Sequence, residues 1–135
     1  MLLPTFIATL STHKVTVNDL ESGNLKPIIL IDVRSPEEYA QDRIGQSLLV
    51  PLEEIQEGRG IQTIEQIAKA YSQIGQPEPT IVLYCEICPG AIRAYQKLHR
   101  TGLNLVVLSG GITAWRQAVP RGKDAEILAP IAIAA

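Results

Sequence analysis

The stretch at residues 81–98 constrains the fold of this chain more than any other, because its pattern changes in the middle. Residues 81–84 (Ile-Val-Leu-Tyr) are too short for a helix and follow Pro77 and Pro79, so they predict a buried strand. From Pro89 onward, apolar residues recur at helical spacing, and proline suits the first turn of a helix. The predicted order is therefore a strand, a cysteine-containing loop and a helix.

Cys85 stands directly after this strand, at the start of the loop. A loop that runs into a helix N-terminus directs several unpaired backbone N–H groups towards whatever it encloses. We expect this positive field to lower the pKa of the Cys85 thiol and to favour the nucleophilic thiolate. The competing interpretation is that Cys85 and Cys88 are two small buried hydrophobic residues, as most free cysteines are. The position at a strand end favours the reactive thiol.

The rest of the chain alternates apolar runs with helical patterns. The continuous apolar run at residues 28–31 is typical of a strand covered on both faces in a parallel sheet. Ser35 is suited to cap the next helix, with Pro36 at its first position and Glu38 placed to reach back to the cap. Residues 58–60 (Gly-Arg-Gly) are expected to interrupt the pattern. Further strands are predicted at residues 15–17, 47–51 and 103–108, and further helical segments at residues 19–21, 52–56, 63–74 and 112–115.

This alternation predicts an α/β domain with a mainly parallel sheet, whose active site lies beyond the carboxyl ends of the strands. Asp32, Cys85 and Ser109 all follow predicted strands and are expected at that edge. Asp32 and Arg34 have two interpretations. In the first, Arg34 pairs with Glu38 while Asp32 accepts hydrogen bonds from loop amides, because partly buried charges need partners. In the second, Asp32 lies at the rim of the Cys85 pocket.

The composition argues against several functions. The chain has 135 residues, which fits one domain, and a formal net charge of −2 with no basic block, so it lacks the footprint of a nucleic-acid-binding protein. Its two cysteines form a single C-x-x-C pair, which is half of a usual zinc set and no secreted disulfide framework. We therefore expect no metal, no cofactor and a reducing, cytoplasmic location.

The two ends of the chain are apolar. Residues 1–14 lack a basic leader region and are shorter than a membrane span, so they predict an arm packed on the domain. Residues 121–135 are also too short to cross a bilayer and predict an apolar tail. The remaining stretch, residues 15–120, is the predicted domain. We expect no membrane association, and the apolar ends are candidates for a homodimer contact.

Three stretches resemble the rhodanese-like family of sulfurtransferase domains. They are residues 31–39 (Ile-Asp-Val-Arg-Ser-Pro-Glu-Glu-Tyr), residues 82–85 (Val-Leu-Tyr-Cys) and residues 108–115 (Leu-Ser-Gly-Gly-Ile-Thr-Ala-Trp). The resemblance covers about residues 15–120. It implies a three-layer α/β fold with a mainly parallel central sheet and helices on both faces. It also implies that Cys85 accepts sulfane sulfur as a persulfide. The loop around that sulfur would consist of Glu86, Ile87, Cys88, Pro89 and Gly90, with its amides pointing inward.

The loop departs from the family pattern at three positions. Cys88 stands where glycine is usual, Gly90 where arginine is usual, and Ala91 where serine is usual. An anionic donor such as thiosulfate needs cations or donors beside a thiolate, because like charges repel. The missing arginine therefore disfavours thiosulfate and leaves sulfur relay from a protein persulfide or a small thiol.

A second register places the nucleophile at Cys88, with Arg93 five residues later. We prefer Cys85, because it follows the strand directly and because its distance to Gly102 fits the family without an insertion. Helical geometry puts Arg93 on the face opposite the apolar side chains, so it is expected to be solvated and not to replace the missing arginine.

The leading functional hypothesis is a sulfurtransferase that passes sulfur from the Cys85 persulfide to a thiol acceptor or a protein partner. Cys88 is a candidate resolving thiol, which would release sulfide and leave a disulfide with Cys85. One alternative is thiol–disulfide exchange by the C-x-x-C pair. Another is a non-catalytic binding or redox-sensing module.

Overall fold

The computed structural model describes residues 12–72 and 75–119. Within these residues the chain forms a five-stranded sheet in which all neighbouring strands are parallel, in the order β1-β5-β4-β2-β3. The strands are β1 (Lys14–Val15), β2 (Ile28–Asp32), β3 (Leu48–Leu49), β4 (Thr80–Tyr84) and β5 (Leu105–Leu108). The helices are α1 (Val17–Ser22), α2 (Pro36–Gln41), α3 (Leu52–Glu57), α4 (Arg59–Tyr71), α5 (Pro89–Leu98) and α6 (Gly111–Ala118), with a 3-10 turn at His99–Thr101. This architecture confirms the predicted α/β class and its parallel sheet.

Several predictions fall outside the described residues. The N-terminal arm, apart from residues 12–14, lies outside them, as do the tail at residues 121–135 and the end of the predicted helix at residues 73–74. The homodimer contact through the two ends therefore stays a prediction. Within the described part of the chain, no helix combines the length and apolar character needed to cross a bilayer.

Alternation along the strands divides the core into two layers, one on each face of the sheet. Successive side chains of a strand point to opposite faces. Ile81 and Leu83 pack with residues of α3, α4 and α5, whereas Val82 and Tyr84 pack with residues of α1 and α6. Cys85 follows Tyr84 and belongs to the first of these layers. The same alternation therefore places the Cys85 side chain on the face of the sheet that α5 covers, and α5 is the helix into which its loop leads.

Local sequence signals set the start of the helix after β2. The hydroxyl of Ser35 accepts a hydrogen bond from the Glu38 amide at 3.2 Å, and the Glu38 carboxylate accepts one from the Ser35 amide at 3.2 Å. Pro36 occupies the first turn of α2, as predicted. A second, unpredicted capping box joins Thr16 and Asp19 at the start of α1. These caps satisfy backbone donors that a helix start otherwise leaves open.

Helix α4 begins at Arg59, four residues before its predicted start at residue 63. Gly58 ends α3 with a φ of 101°, in the left-handed region that glycine favours, and α4 follows at once. Gly60 lies inside α4, where an added Cβ would come within 2.6 Å of the backbone nitrogen of Ile55. The predicted interruption over residues 58–60 was therefore wrong in extent. The break is at Gly58, and Gly60 is there because the two helices approach closely.

Candidate active site

Cys85 lies at the carboxyl end of β4, where the chain enters the loop that leads into α5. Its residue surface is 8% exposed, and its side chain lines a cavity of about 310 Å³ that opens to solvent. The other lining residues belong to the segment after β2 and to the loop itself: Arg34, Glu38, Glu86, Ile87, Pro89 and Gly90. The structure therefore brings most of the predicted loop to one cavity with Cys85, beside Arg34.

Backbone amides of the loop and of the first turn of α5 surround the sulfur of Cys85. The amide of Ala91 donates to Sγ at 3.4 Å. The backbone amides of Gly90 and Ile87 act in the same direction, since both favour the thiolate of Cys85 and lower its pKa. Gly90 approaches it closely, since a Cβ added there would lie 3.7 Å from Sγ. The start of α5 therefore places at least one backbone amide, that of Ala91, on the sulfur.

The pKa of the Cys85 thiol lies above its ordinary value, which is opposite to the predicted direction. Burial is the largest cause, because it withdraws the thiolate from water. The amides of Ala91, Gly90 and Ile87 lower the pKa but do not outweigh burial, and charge on Cys88 raises it further. The helix start lowers this pKa as predicted, but the predicted net direction was wrong, because burial raises the pKa by more. The spacing of residues along the sequence predicted where the amides lie, but it could not predict how deeply the Cys85 sulfur is buried.

The carbonyl groups of the loop are bound by the first turn of α6. The amide of Ile112 donates to the carbonyl oxygen of Cys85 at 3.0 Å, and the amide of Thr113 donates to that of Glu86 at 3.1 Å. Gly111 has a φ of 60°, and an added Cβ there would collide with the first three carbonyl oxygens of the loop. Because its carbonyls are held on this outer side, the loop presents its amides to the sulfur.

Arg34 is a buried cation that pairs with the carboxylate of Asp32. Its Nη2 and Nε lie 2.9 and 3.1 Å from the two carboxylate oxygens, and its backbone amide donates to the same carboxylate at 2.9 Å. The predicted pairing of Arg34 with Glu38 was wrong, because Glu38 is held by Ser35 at the start of α2. The prediction that Asp32 accepts a loop amide is confirmed. Arg34, and not Asp32, lines the cavity.

Glu86, the residue after the cysteine, ties the loop to two arginines. Its carboxylate lies 3.4 Å from Nη1 of Arg34 and 2.6 Å from Nη1 of Arg116, and it accepts a hydrogen bond from Oγ1 of Thr113 at 3.1 Å. Asp42 contacts the same two arginines, with 2.9 Å to both Nε and Nη2 of Arg116 and 3.6 Å to Nη1 of Arg34. Arg116 is the main reason that the pKa values of the Glu86 and Asp42 carboxyls fall below their usual range. Both groups are therefore ionised at neutral pH.

Asp42, Thr113 and Arg116 had not been predicted as residues of the site. No periodicity links positions 42, 86 and 116, because they come together only when α6 packs beside the loop. Of these three residues, only Thr113 could have been found from the sequence, since it lies in the stretch at residues 108–115 that carries the family resemblance.

The other residues singled out in the sequence take less central positions. Cys88 is partly buried and directly precedes α5. Arg93 is exposed on that helix, as predicted. The amide of Ser109 donates to the carbonyl of Val15 at 2.8 Å, so Ser109 joins β1 to the end of β5. In the part of the chain that the structure describes, no group of three or more His, Cys, Asp or Glu residues is arranged to hold a metal ion.

Fold and site together define a parallel α/β domain with a cysteine at the end of its central strand, next to the backbone amides of a helix start. The family model described as "Rhodanese-like domain" matches residues 12–118. This chain therefore belongs to the rhodanese-like domain family, as its sequence motifs indicated.

Curated relatives are larger proteins. A probable molybdopterin-synthase adenylyltransferase of Porphyra purpurea is 24% identical over 106 residues, which cover 78% of this chain and 25% of that protein. A protein with the same description from Pyropia yezoensis is 33% identical over 91 residues, covering 67% of this chain and 21% of that protein. An uncharacterized protein of Synechocystis is 33% identical over 93 residues, covering 67% and 44%. This chain thus spans less than half the length of each of these relatives.

Solved structures share the fold. A rhodanese-related protein from Thermoplasma volcanium superposes with a TM-score of 0.61 at 24% identity, covering 80% of this chain and 95% of that one. A Saccharomyces cerevisiae homolog of single-domain rhodanese and of a phosphatase catalytic domain has a TM-score of 0.73 at 15% identity, covering 87% of both chains. At these identities the likeness concerns the fold alone.

Proposed function

We propose that this domain is a sulfurtransferase in which Cys85 accepts a sulfane sulfur atom, holds it as a persulfide and passes it to a thiol acceptor. The observation that carries the proposal is the Cys85 sulfur beside an open cavity, where it accepts a hydrogen bond from the Ala91 amide and where the Gly90 and Ile87 amides also favour its thiolate. Preorganised backbone amides stabilise negative charge on a nucleophile or on the group that it acquires. Membership of the rhodanese-like family supports the same chemistry.

The loading step is a thiol exchange at a sulfane sulfur. The Cys85 thiolate attacks the outer sulfur of a donor persulfide, a new bond forms to Sγ, and the sulfur–sulfur bond of the donor breaks. The donor leaves as a thiol. The acceptor repeats the exchange on the Cys85 persulfide. Burial keeps the thiolate fraction of Cys85 low, whereas a thiolate of higher pKa is intrinsically more nucleophilic. Loading is therefore expected to accelerate as the pH rises.

Charges around the cavity favour a protein-bound or small organic donor over thiosulfate. The usual loop arginine is absent, and the guanidinium of Arg34 is already paired with Asp32 and Glu86. Two of the lining residues, Glu38 and Glu86, are acidic, and like charges repel an approaching dianion. Ile87 is 60% exposed at the same cavity, which suits contact with a protein partner.

Cys88 supplies a route for releasing the sulfur. It lies three residues after Cys85, close enough that its charge affects the Cys85 thiol. In this step the Cys88 thiolate attacks Sγ of the persulfide, a Cys85–Cys88 disulfide forms, and the outer sulfur departs as sulfide. The two cysteines are oxidised as that sulfur is reduced, and an external dithiol reductant then restores them. A reducing compartment such as the cytoplasm suits this cycle.

A non-catalytic binding or redox-sensing module is the second candidate, and the raised pKa of Cys85 favours it. Direct thiol–disulfide exchange by Cys85 and Cys88 is less well supported. That function needs only the two thiols and does not account for the Asp32–Arg34 pair or for the α6 amides that shape the loop. Insulin reduction tests it, and clear turnover would favour an oxidoreductase.

The proposed function is tested by following one sulfur atom from donor to acceptor. The protein is incubated with the persulfide form of a cysteine desulfurase, purified and mixed with a small thiol. We expect a gain of one sulfur that disappears as the thiol acquires it. Cys85→Ala is expected to abolish both steps, with Cys88→Ser as the matched control that still loads. Protein that never gains sulfur, or that gains it equally in Cys85→Ala, would overturn the proposal.

A further inference from the structure

Five charged groups pair among themselves and reach the Cys85 cavity through Arg34 and Glu86. Asp32, Asp42 and Glu86 contribute three negative charges, and Arg34 and Arg116 contribute two positive ones, so the cluster carries a net charge of −1. Each guanidinium contacts at least two carboxylates. Arg34 lines the same cavity as Cys85, and neither guanidinium is left without a carboxylate partner.

Glu86 is the member of this cluster that belongs to the loop itself. Its carboxylate contacts both arginines and Thr113, and it also lines the cavity. A carboxylate bound by two guanidiniums and a hydroxyl occupies the kind of position that would otherwise suit a small oxyanion. Glu86 thus acts as an internal anion that takes up the binding capacity of Arg34 and Arg116.

We propose that Glu86 is a specificity-determining residue, which makes the Cys85 cavity reject small anionic sulfur donors and accept uncharged, cationic or protein-borne ones. The inference rests on the proposed function in its reference to sulfur donors, whereas the charge selection itself applies to any reagent that reaches the Cys85 sulfur. An anionic reagent enters a cavity lined by two acidic residues, Glu86 and Glu38, while both guanidiniums are already paired. Because like charges repel in a partly desolvated cavity, the selection should appear in reaction rates.

The experiment uses three methanethiosulfonate reagents whose transferred groups are anionic, neutral and cationic: sulfonatoethyl, methyl and trimethylammonioethyl. The Cys85 thiolate attacks the sulfenyl sulfur, a disulfide forms, and methanesulfinate leaves with the electrons of the broken bond. Cys88→Ser serves as the background, because the chain contains two cysteines and only Cys85 then reacts. The ratio of the anionic to the cationic rate is the readout, since the thiolate fraction cancels from it.

In this background, Glu86→Gln is expected to raise the anionic-to-cationic ratio by at least about fivefold. Glu38→Gln is the matched control, because it removes the same charge from the same cavity and glutamine still completes the capping box with Ser35. The anionic-to-cationic ratio of Glu38→Gln should change by less than half as much as that of Glu86→Gln, because Glu38 is bound by Ser35 whereas Glu86 pairs with both arginines. An unchanged ratio in Glu86→Gln, or an equal change in both variants, would overturn the inference.

Arg116→Gln provides an independent check if Glu86→Gln lowers the folded fraction. It removes a half-exposed cation that contacts Glu86 and should move the ratio in the opposite direction, against the anionic reagent. A rise or no change would contradict the inference. If the ratios behave as expected but no donor ever leaves sulfur on Cys85, the proposed function fails while the charge selection stands. If Cys85 loads with sulfur while the ratios stay constant, only the charge selection fails.

Discussion

The backbone amide of Ile112 donates a 3.0 Å hydrogen bond to the carbonyl oxygen of Cys85. This contact joins the start of α6 to the loop that carries the cysteine. With the carbonyl of Glu86 bound in the same way by Thr113, the loop cannot rotate its peptide units without breaking both bonds. The amides that surround the sulfur are therefore positioned by a helix that lies elsewhere in the sequence.

Gly111→Ala tests this arrangement. A Cβ at residue 111 would overlap the carbonyl oxygens of the loop, in a backbone conformation with φ of 60°. Strain and overlap together should lower the free energy of unfolding by about 3 kcal/mol and displace the loop. Urea denaturation measures the first effect, and the rate of Cys85 alkylation reports the second.

Gly102→Ala is the matched control for that substitution. Gly102 also has a positive φ, of 80°, but nothing lies within 4 Å of an added Cβ. Only the conformational cost of about 1 kcal/mol is expected, with Cys85 alkylation unchanged. Equal losses of stability in the two variants would show that the loop carbonyls do not need the space left by Gly111.

The pH dependence of Cys85 alkylation is expected to be shifted upward. Burial raises the pKa of the thiol, so at any pH below that pKa the thiolate fraction is smaller than in an exposed cysteine. The rate with iodoacetamide in Cys88→Ser protein should rise with pH and reach its midpoint above the ordinary value of about 8.5. A short peptide with the same loop sequence is the unfolded control. A midpoint below that of the peptide would mean that the amides outweigh burial.

Asp32→Asn is expected to be strongly destabilising. It leaves Arg34, whose side chain is 3% exposed, without its main counter-charge. Removing one partner of a buried ion pair lowers the free energy of unfolding by about 3 kcal/mol, a change that urea denaturation resolves. Glu54→Gln is the control, because it removes one carboxylate from a solvent-exposed pair with Arg59 at 4.0 Å and should cost less than about 0.5 kcal/mol. Similar losses in both variants would contradict the structural role given to the Asp32–Arg34 pair.

Cys88→Ser is expected to lengthen the lifetime of the Cys85 persulfide. Without the second thiol, sulfide cannot be displaced within the loop, so the loaded form should persist several-fold longer and no internal disulfide should form. Intact-mass spectra recorded over time after removal of the donor follow both species. Identical lifetimes in the wild type and in Cys88→Ser would rule out the resolving role.

Features of the site that depend on neighbours along the chain could be predicted from the sequence. The strand before Cys85, the helix after Pro89 and the capping box of Ser35 and Glu38 are all local patterns, and the structure contains each of them. Features that depend on three-dimensional packing could not. The partner of Arg34 was predicted wrongly because Glu38 and Asp32 both lie within four residues of it, and only the fold decides between them.

Two features of the site could not be predicted from the sequence at all. The depth of the Cys85 sulfur decides the direction of its pKa shift, and it follows from how α3, α4 and α5 cover the sheet. The contacts of Glu86 with Arg34 and Arg116 join positions 34, 86 and 116, which no periodicity connects. The burial of Cys85 and the contacts of Glu86 both depend on packing between elements that are distant in the sequence.

The role of Cys85 as the sulfur carrier is tested most directly by the intact mass of the protein after exposure to a cysteine-desulfurase persulfide, with the modified residue located by peptide mapping. We predict a gain of one sulfur on Cys85 in the wild type and in Cys88→Ser, and no gain in Cys85→Ala. Sulfur found on Cys88 in Cys85→Ala, or a Cys88→Ser protein that stays unmodified, would contradict this role of Cys85.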